Sequence, residues 1–525
     1  MDSTMCSGCL KDKDLKEAIQ VIFLDVPKPI LGQWNFDSQI LLKALNKHIK
    51  DPIKIPLYIL KKLPYVLREK DFKVWVVLGK KEREYEILEI FSEKPSEILG
   101  VAIDLGSTTI AFYFYDFIKK EVLKKFSITN PQIEIGEDIL TRLHFARKKE
   151  KLEYVNRITI DAINKELRSV KDKIYYITVC GNTVMSHFLT GLPVNYIFLE
   201  PYVPCTNWYD LLEAKELGLE AHLLAKVFIF PSAGTYFGGD IIAGLYFSEI
   251  YKKEDGFYFF IDVGTNAEVV LGNKDFLLVC SGAAGPALEG GILECGCQAK
   301  EGAIERVEID ILTKKIEYKT IGNKTPIGIC GSGIIQLIAQ MFINGLLSFE
   351  GKFQKESFPE RFKKINDELA FIVAFPEETA MGNYIYIKER EVKNFLRSKG
   401  AMFTILTLLC EKIGITFKDI NTFYLAGSFG NKIDVDSAVT LGMLPEEALS
   451  KTIGVGNAAG EGALKFLKKA DFEEIRSILG NITYIELNRE PKFMEIFTGA
   501  QFVPNVNLEL FPKVRKKLEG KVCLK

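Results

Sequence analysis

V-A-I-D-L-G-S-T-T-I-A-F-Y-F-Y-D, running from Val101 to Asp116, reads as an apolar strand, a tight glycine turn and a second strand rich in aromatic and β-branched residues. It predicts a β-hairpin whose turn carries an acid and several hydroxyls. A second version follows at F-Y-F-F-I-D-V-G-T-N-A-E-V-V-L, Phe257 to Leu271. Asp104 and Asp262 stand a domain's length apart, and a motif repeated at that spacing predicts two related lobes.

Helical spacing follows each hairpin, at Gly136 to Arg147, Val155 to Val170, Asp240 to Ile250, Gly333 to Phe342 and Val392 to Ile413. Strand-like runs such as Ile174 to Val179 and Val227 to Phe230 interleave with them, so the fold class is α/β with helices packed on sheets. Ahead of the first hairpin lies a lysine-rich stretch with a helical pattern at Phe36 to Ile49 and a strand pattern at Phe72 to Leu78. We expect an N-terminal tail over 1–19, a small α/β module over 20–98, a first lobe over 99–255, a second over 256–505 and a C-terminal tail over 506–525. The polar Ser92 to Glu97 marks the boundary ahead of the first lobe.

Composition sets outer limits. At roughly 150 residues per domain, 525 residues allow about three or four domains. Apolar residues at 47% and charged ones at 26% describe an ordinary globular chain. Sixty-eight basic against 69 acidic side chains give a formal charge of −1, which argues against a general nucleic-acid partner. The residues from Met1 to Lys13 carry no apolar signal-peptide core, and no apolar run reaches membrane-spanning length, so the expectation is a cytoplasmic protein with no membrane partner. Ten cysteines are too dilute for a disulfide scaffold.

The chemistry follows from the hairpin turns. Gly106 lets backbone amides approach an anion, and Ser107 and Thr108 add hydroxyl donors to phosphate oxygens. Asp104 repels phosphate and is instead a candidate to hold Mg²⁺, through water, beside it. Asp262, with Gly264, Thr265 and Asn266, would grip the same phosphate chain from the other lobe, and closure of the lobes would exclude water. Either copy alone reads equally well as a plain turn; the pair is what favours phosphate.

Between them, Gly238-Gly239 precede Asp240 at or near a helix N-cap. Asp240 is the candidate for orienting or deprotonating an attacking water. Gly427 and Gly430 leave room for a flat ring beside Ser428 and Phe429. Glycine-rich turns at Ser281 to Gly291 and Gly328 to Ile335 could add nucleotide or domain contacts, whereas a P-loop is absent.

Four scattered histidines make a His-based zinc site improbable. Cys6-x-x-Cys9 is half of a four-thiolate site for iron–sulfur or zinc, and reads equally as a tail with two thiols. Cys295 and Cys297 read first as structural, with Cys330 a companion.

The order Asp-x-Gly-Ser-Thr, Asp-x-Gly-Thr and Leu-Ala-Gly-x-Phe-Gly resembles the acetate and sugar kinase, heat-shock chaperone and actin superfamily. Within it the sequence is similar to the reductive activators of corrinoid proteins. The matching pieces are Asn130 to Gln132 with Gly136 and Asp138, Gly181 to Met185, Gly238 to Asp240, Asp262 to Asn266, Ser281 to Gly291, Gly328 to Ile335, Leu425 to Gly430 and Asn457 to Ala463. Val26-Pro27 and Leu63 to Glu69 extend the likeness into the first module, so it covers most of 20–505.

The resemblance implies a two-lobed actin-like ATPase fold with duplicated ribonuclease H-like lobes. It implies ATP and Mg²⁺, with phosphates on the first two motifs and adenosine near Gly427, Ser428, Phe429 and Gly430. It also implies ATP-dependent reduction of Co(II) to Co(I) in a corrinoid protein of a methyltransferase system. Two departures stand out: Ala267 replaces a glycine, and only Cys6 and Cys9 stand where such proteins usually carry a ferredoxin-like domain. Electrons would then come from a separate ferredoxin-type donor or from a cluster bridging a homodimer, or the chain would keep ATPase function without redox work. The competing readings are an ATP-driven electron activator of a radical dehydratase with a subunit-bridging cluster, a nucleotide-dependent binding module without redox activity, and a small-molecule kinase.

Overall fold

The computed structural model describes residues 17–522, apart from 33–34, 137, 265–266, 283–292, 428–432 and 487–489. The chain divides into two compact units, Met1–Phe247 with Ala459–Gly480, and Ser248–Ala458 with Asn481–Lys525.

The first unit opens with a four-stranded sheet made of β1 (Ile19–Asp25), β2 (Ile53–Lys54), β3 (Lys73–Lys80) and β4 (Tyr85–Phe91), in the order β1-β3-β4-β2. Helix Leu57–Glu69 buries Ile59, Leu63 and Leu67, a four-residue spacing that keeps one face apolar.

Next come β5 (Leu99–Leu105), β6 (Thr109–Asp116), β7 (Glu121–Thr129), β8 (Ile174–Cys180), β9 (Leu212–Glu213) and β10 (Lys226–Ile229). Their order is β7-β6-β5-β8-β10-β9. β5, β6 and β7 form an antiparallel meander, and β8 and β10 extend it in parallel with β5. Val101, Ile103, Ile177 and Val179 are buried with Val155, Ile163 and Leu167 of helix Lys149–Leu167. Each such side chain contributes about 2 kcal/mol on burial.

The second unit contains β11 (Phe257–Val263), β12 (Ala267–Gly272) and β13 (Leu277–Gly282). Two small three-stranded sheets follow: β14 (Ala303–Asp310), β15 (Lys315–Thr320) and β16 (Gly328–Ile329), then β17 (Phe362–Ile365), β18 (Glu368–Ala374) and β19 (Ile385–Lys388). β20 (Ile420–Gly427), β21 (Thr452–Gly456) and β22 (Ile482–Tyr484) complete the main sheet, in the order β21-β20-β11-β12-β13-β22. Read from β13, this repeats the first sheet: a meander, then two strands parallel to its first member. The repeat expected from the two hairpins is therefore a repeat of whole lobes.

Helix Ala458–Lys468 follows β21 in sequence, yet from Ala459 on it belongs to the first unit. There Phe466 stacks on Phe228 at 4.0 Å, and Thr178 Oγ1 donates to the Ala463 carbonyl at 2.9 Å. Among the described residues no helix is long and apolar enough to cross a membrane.

Candidate nucleotide site

Asp104 is the penultimate residue of β5, and Asp262 that of β11. Both are half-buried at the C-terminal edge of their sheets, the edge where open α/β sheets place ligands. Each faces, in parallel register, a residue that precedes a glycine: Asp104 pairs with Cys180 and Asp262 with Ala426. The turn after Asp104 is closed by the Gly106 amide donating to the Thr109 carbonyl at 3.0 Å, with Gly106, Ser107 and Thr108 half-buried.

Glycines draw the strand ends of the first unit together. A Cβ on Gly181 would lie 2.7 Å from the Leu105 carbonyl oxygen, and one on Gly238 only 2.3 Å from Asn182 Cα. Gly239 opens helix Gly239–Ser248, and Asp240 is its second residue, just inside the predicted cap position. The Asp240 amide donates to the Gly181 carbonyl at 3.2 Å, and its Oδ1 accepts from the Ile241 amide at 2.9 Å.

This packing joins Asp104, Cys180 and Asp240 electrostatically. Desolvation first, and the Asp104 charge after it, push the Asp240 carboxyl up to about 7, although the Ile241 amide pulls the other way. The Cys180 thiol lies 3.9 Å from Asp104 Oδ1 and is pushed well up by burial and then by both carboxylates. It is a neutral thiol, unsuited to nucleophilic work. Asp104, half-buried at the sheet edge, is a carboxylate that fits a cation, and Mg²⁺ commonly uses one or two carboxylates and keeps its waters.

In the second unit Gly427 has φ +84°, and a Cβ on it would meet the Val263 carbonyl oxygen at 2.4 Å and Asp262 Oδ1 at 2.6 Å. Only glycine fits there, so the Leu-Ala-Gly strand ends against the acid of the second hairpin. Gly264 is half-buried beyond it. Thr265, Asn266, Ser428, Phe429 and Gly430 lie outside the described residues, as do Cys6, Cys9 and most of Ser281 to Gly291.

Cys295 directs its thiol to the Tyr384 carbonyl at 3.6 Å, and Cys330 directs its own to that of Ile304 at 3.3 Å. Burial pushes Cys297 up to about 11. Among the described residues no group of three or more His, Cys, Asp and Glu side chains is arranged to hold a metal ion.

Sequence reasoning passes over Arg142, whose guanidinium reaches the first hairpin turn, and over Cys180. The strand-like run Ile174 to Val179 stops one residue short of Cys180, the last residue of β8, and the register of Cys180 against Asp104 is a long-range fact.

The sequence matches three descriptions of one family: "RACo linker region" over 10–97, "RACo middle region" over 99–253, and "C-terminal domain of RACo the ASKHA domain" over 256–515. It is 32% identical over 432 residues to "Corrinoid activation enzyme RamQ" of Eubacterium limosum, covering 79% of this chain and 72% of that one. It is 24% identical over 421 residues to "[Co(II) methylated amine-specific corrinoid protein] reductase" of Methanosarcina barkeri, covering 73% of each. A solved structure titled "Reductive activator for corrinoid,iron-sulfur protein" superposes with a TM-score of 0.87 at 32% identity, over 96% of this chain and 82% of that one. With its duplicated α/β lobes and the ASKHA domain in the second half, the chain belongs to the RACo family of corrinoid reductive activators.

Proposed function

We propose that this protein uses ATP to promote reduction of Co(II) to Co(I) in a corrinoid protein of a methyltransferase system. The observation that carries the reading is the convergence of Asp104, Cys180 and Asp240 at one sheet edge, with Asp262 set against Gly427 at the equivalent edge of the repeated lobe. The names of its relatives, one a corrinoid activation enzyme and the other a reductase of a Co(II) corrinoid protein, support the substrate class.

In this reading the Gly106-Ser107-Thr108 turn and Gly264-Thr265-Asn266 hold the phosphates of one ATP, and Gly427 to Gly430 receive its adenosine end. Asp104 and Asp262 would hold Mg²⁺, which would supply positive charge against that of the triphosphate. Asp240 takes the proton of the attacking water, whose oxygen bonds to the γ-phosphorus as the bond to the β-phosphate oxygen breaks, giving ADP and phosphate. The carboxyl value of about 7 suits a group that accepts a proton near neutrality.

The single electron that turns Co(II) into Co(I) comes from a separate ferredoxin-type donor. That reduction is uphill for common donors, so ATP must act by binding one state of the protein complex better than another. Lobe closure on nucleotide is the element we assign to that difference. We place the protein in the cytoplasm as a homodimer. Cys6 and Cys9 remain candidates for a shared cluster or zinc, and no step is assigned to them.

The test is anaerobic absorption spectroscopy of a Co(II) corrinoid protein mixed with this chain, MgATP and a low-potential donor. Co(I) should form only in the complete mixture. Equal Co(I) without the chain or without ATP would overturn the proposal.

A further inference from the structure

Every carbonyl of the turn Gly106-Ser107-Thr108-Thr109 is hydrogen-bonded, the first three of them from behind. Gly106 O accepts from Asn130 Nδ2 at 2.8 Å, Ser107 O from Arg142 Nη1 at 2.5 Å, Thr108 O from the Asn130 amide at 2.9 Å, and Thr109 O from the Gly106 amide at 3.0 Å. In a planar trans peptide the C=O and the following N–H point in opposite directions. Fixing the carbonyls of Gly106, Ser107 and Thr108 toward Asn130 and Arg142 therefore turns the amides of Ser107, Thr108 and Thr109 away from them.

Both anchors are themselves fully buried and hydrogen-bonded in turn. Asn130 Oδ1 accepts from the Gln132 amide at 3.0 Å, which caps the short helix Pro131–Glu134. Arg142, on helix Ile139–Phe145, also donates from Nε to the Gly136 carbonyl at 2.7 Å. Gln132 Oε1 lies 3.5 Å from Arg142 Nη1, and its Nε2 donates to Thr159 Oγ1 at 2.7 Å on helix Lys149–Leu167. Burying a guanidinium is costly, and this one spends two of its donors on backbone carbonyls, one of them in the turn. Its positive charge thus sits one peptide behind the turn, where low polarity strengthens its field.

We propose that Asn130 and Arg142 are positioning residues of the nucleotide site: they hold the Gly106–Thr109 turn so that its amides are already aimed when a phosphate chain arrives. The inference rests on the reading above that this turn meets ATP phosphates. Such preorganisation lowers the cost of ordering the turn on binding.

The experiment is calorimetric titration of the full chain with MgADP and with adenosine, beside the melting temperature without ligand. Asn130→Asp keeps the oxygen that caps Gln132 and loses the donor to Gly106; Arg142→Lys keeps the charge and loses the fork. Losing one such bond corresponds to about a tenfold change in affinity. Each variant should bind MgADP about tenfold more weakly, with adenosine affinity unchanged; Asn130→Asp, which buries a carboxyl group against the Gly106 carbonyl, should also lower the melting temperature.

Asp104→Ala serves as the reference. If it loses MgADP while the folded Asn130→Asp and Arg142→Lys bind as the parent does, the positioning role is overturned and the site stands. If Asp104→Ala itself binds MgADP as the parent does, the site reading falls and takes this inference with it. Equal loss of MgADP and adenosine would mark a general structural role and also overturn it. Should Arg142→Lys fail to fold, Asn130→Asp decides.

Discussion

The amide of Asp240 donates to the carbonyl of Gly181 at 3.2 Å, a bond that ties the first turn of helix Gly239–Ser248 to the residue after Cys180. Gly238 makes the approach possible, since a Cβ there would lie 2.3 Å from Asn182 Cα. Gly238→Ala must therefore move the loop, and the Asp240 carboxyl with it. We expect ATP hydrolysis to slow about 100-fold with the far-ultraviolet circular dichroism preserved. A parent-like rate would show that the placement of Asp240 is irrelevant to turnover.

Asp240→Asn keeps the side chain's size and the oxygen that accepts from the Ile241 amide, and removes the ability to take a proton. MgADP affinity should be retained while hydrolysis falls by about 10²-fold or more. Steady-state phosphate release is the measurement, and an unchanged rate would reduce Asp240 to a helix residue.

Gly462 packs helix Ala458–Lys468 onto the helix of Asp240: a Cβ on it would lie 2.0 Å from the Ala243 carbonyl oxygen. That neighbour is backbone and cannot rotate aside. Gly462→Ala should lower stability by about 1–3 kcal/mol, seen as an earlier urea midpoint. A midpoint equal to the parent's would mean that this contact is not maintained in solution.

His222 supplies a pH dependence. Its Nδ1 accepts from the Leu224 amide at 3.3 Å, and its Nε2–H donates to Glu89 Oε2 at 3.3 Å, so the neutral ring satisfies both neighbours. Burial first and the Lys62 ammonium second hold its value down to about 4, with Asp172 opposing; Lys62 also pairs with Glu89. The folded value lies below the ordinary 6.5. The unfolded chain thus takes up the proton first. Stability is whole above about pH 6.5 and falls as the pH drops toward about 4, by up to about 3 kcal/mol. His222→Gln should lessen that fall in urea midpoints taken at about pH 7.5 and pH 5; an identical fall would contradict the assignment.

The parts of this fold legible in the sequence are those with local signatures. Asp-x-Gly between two apolar runs is a local hairpin signal, and both hairpins lie where Val101 to Asp116 and Phe257 to Leu271 place them. Helix spacing likewise identifies Val392 to Ile413, which helix Glu389–Lys412 covers except for Ile413, its C-cap. The contacts that build the site are not local.

Arg142 looks like an ordinary surface charge on a short amphipathic stretch until Ser107, far away in sequence, is seen to receive it. The Asn457 to Ala463 motif carries no hint that its helix packs with the first unit; its glycines acquire meaning only against Tyr113 and Ala243. Gly427 reads in the sequence as space for a ring; the structure adds a demand for glycine that the sequence does not show, the Val263 carbonyl of the adjacent strand.

MgATP hydrolysis by Asp104→Ala and by Asp262→Ala, each compared with the parent, tests the proposal that both hairpins serve one nucleotide. Loss of turnover in both variants, with the melting temperature of each kept, is the expected result. Parent-like turnover in either would contradict it.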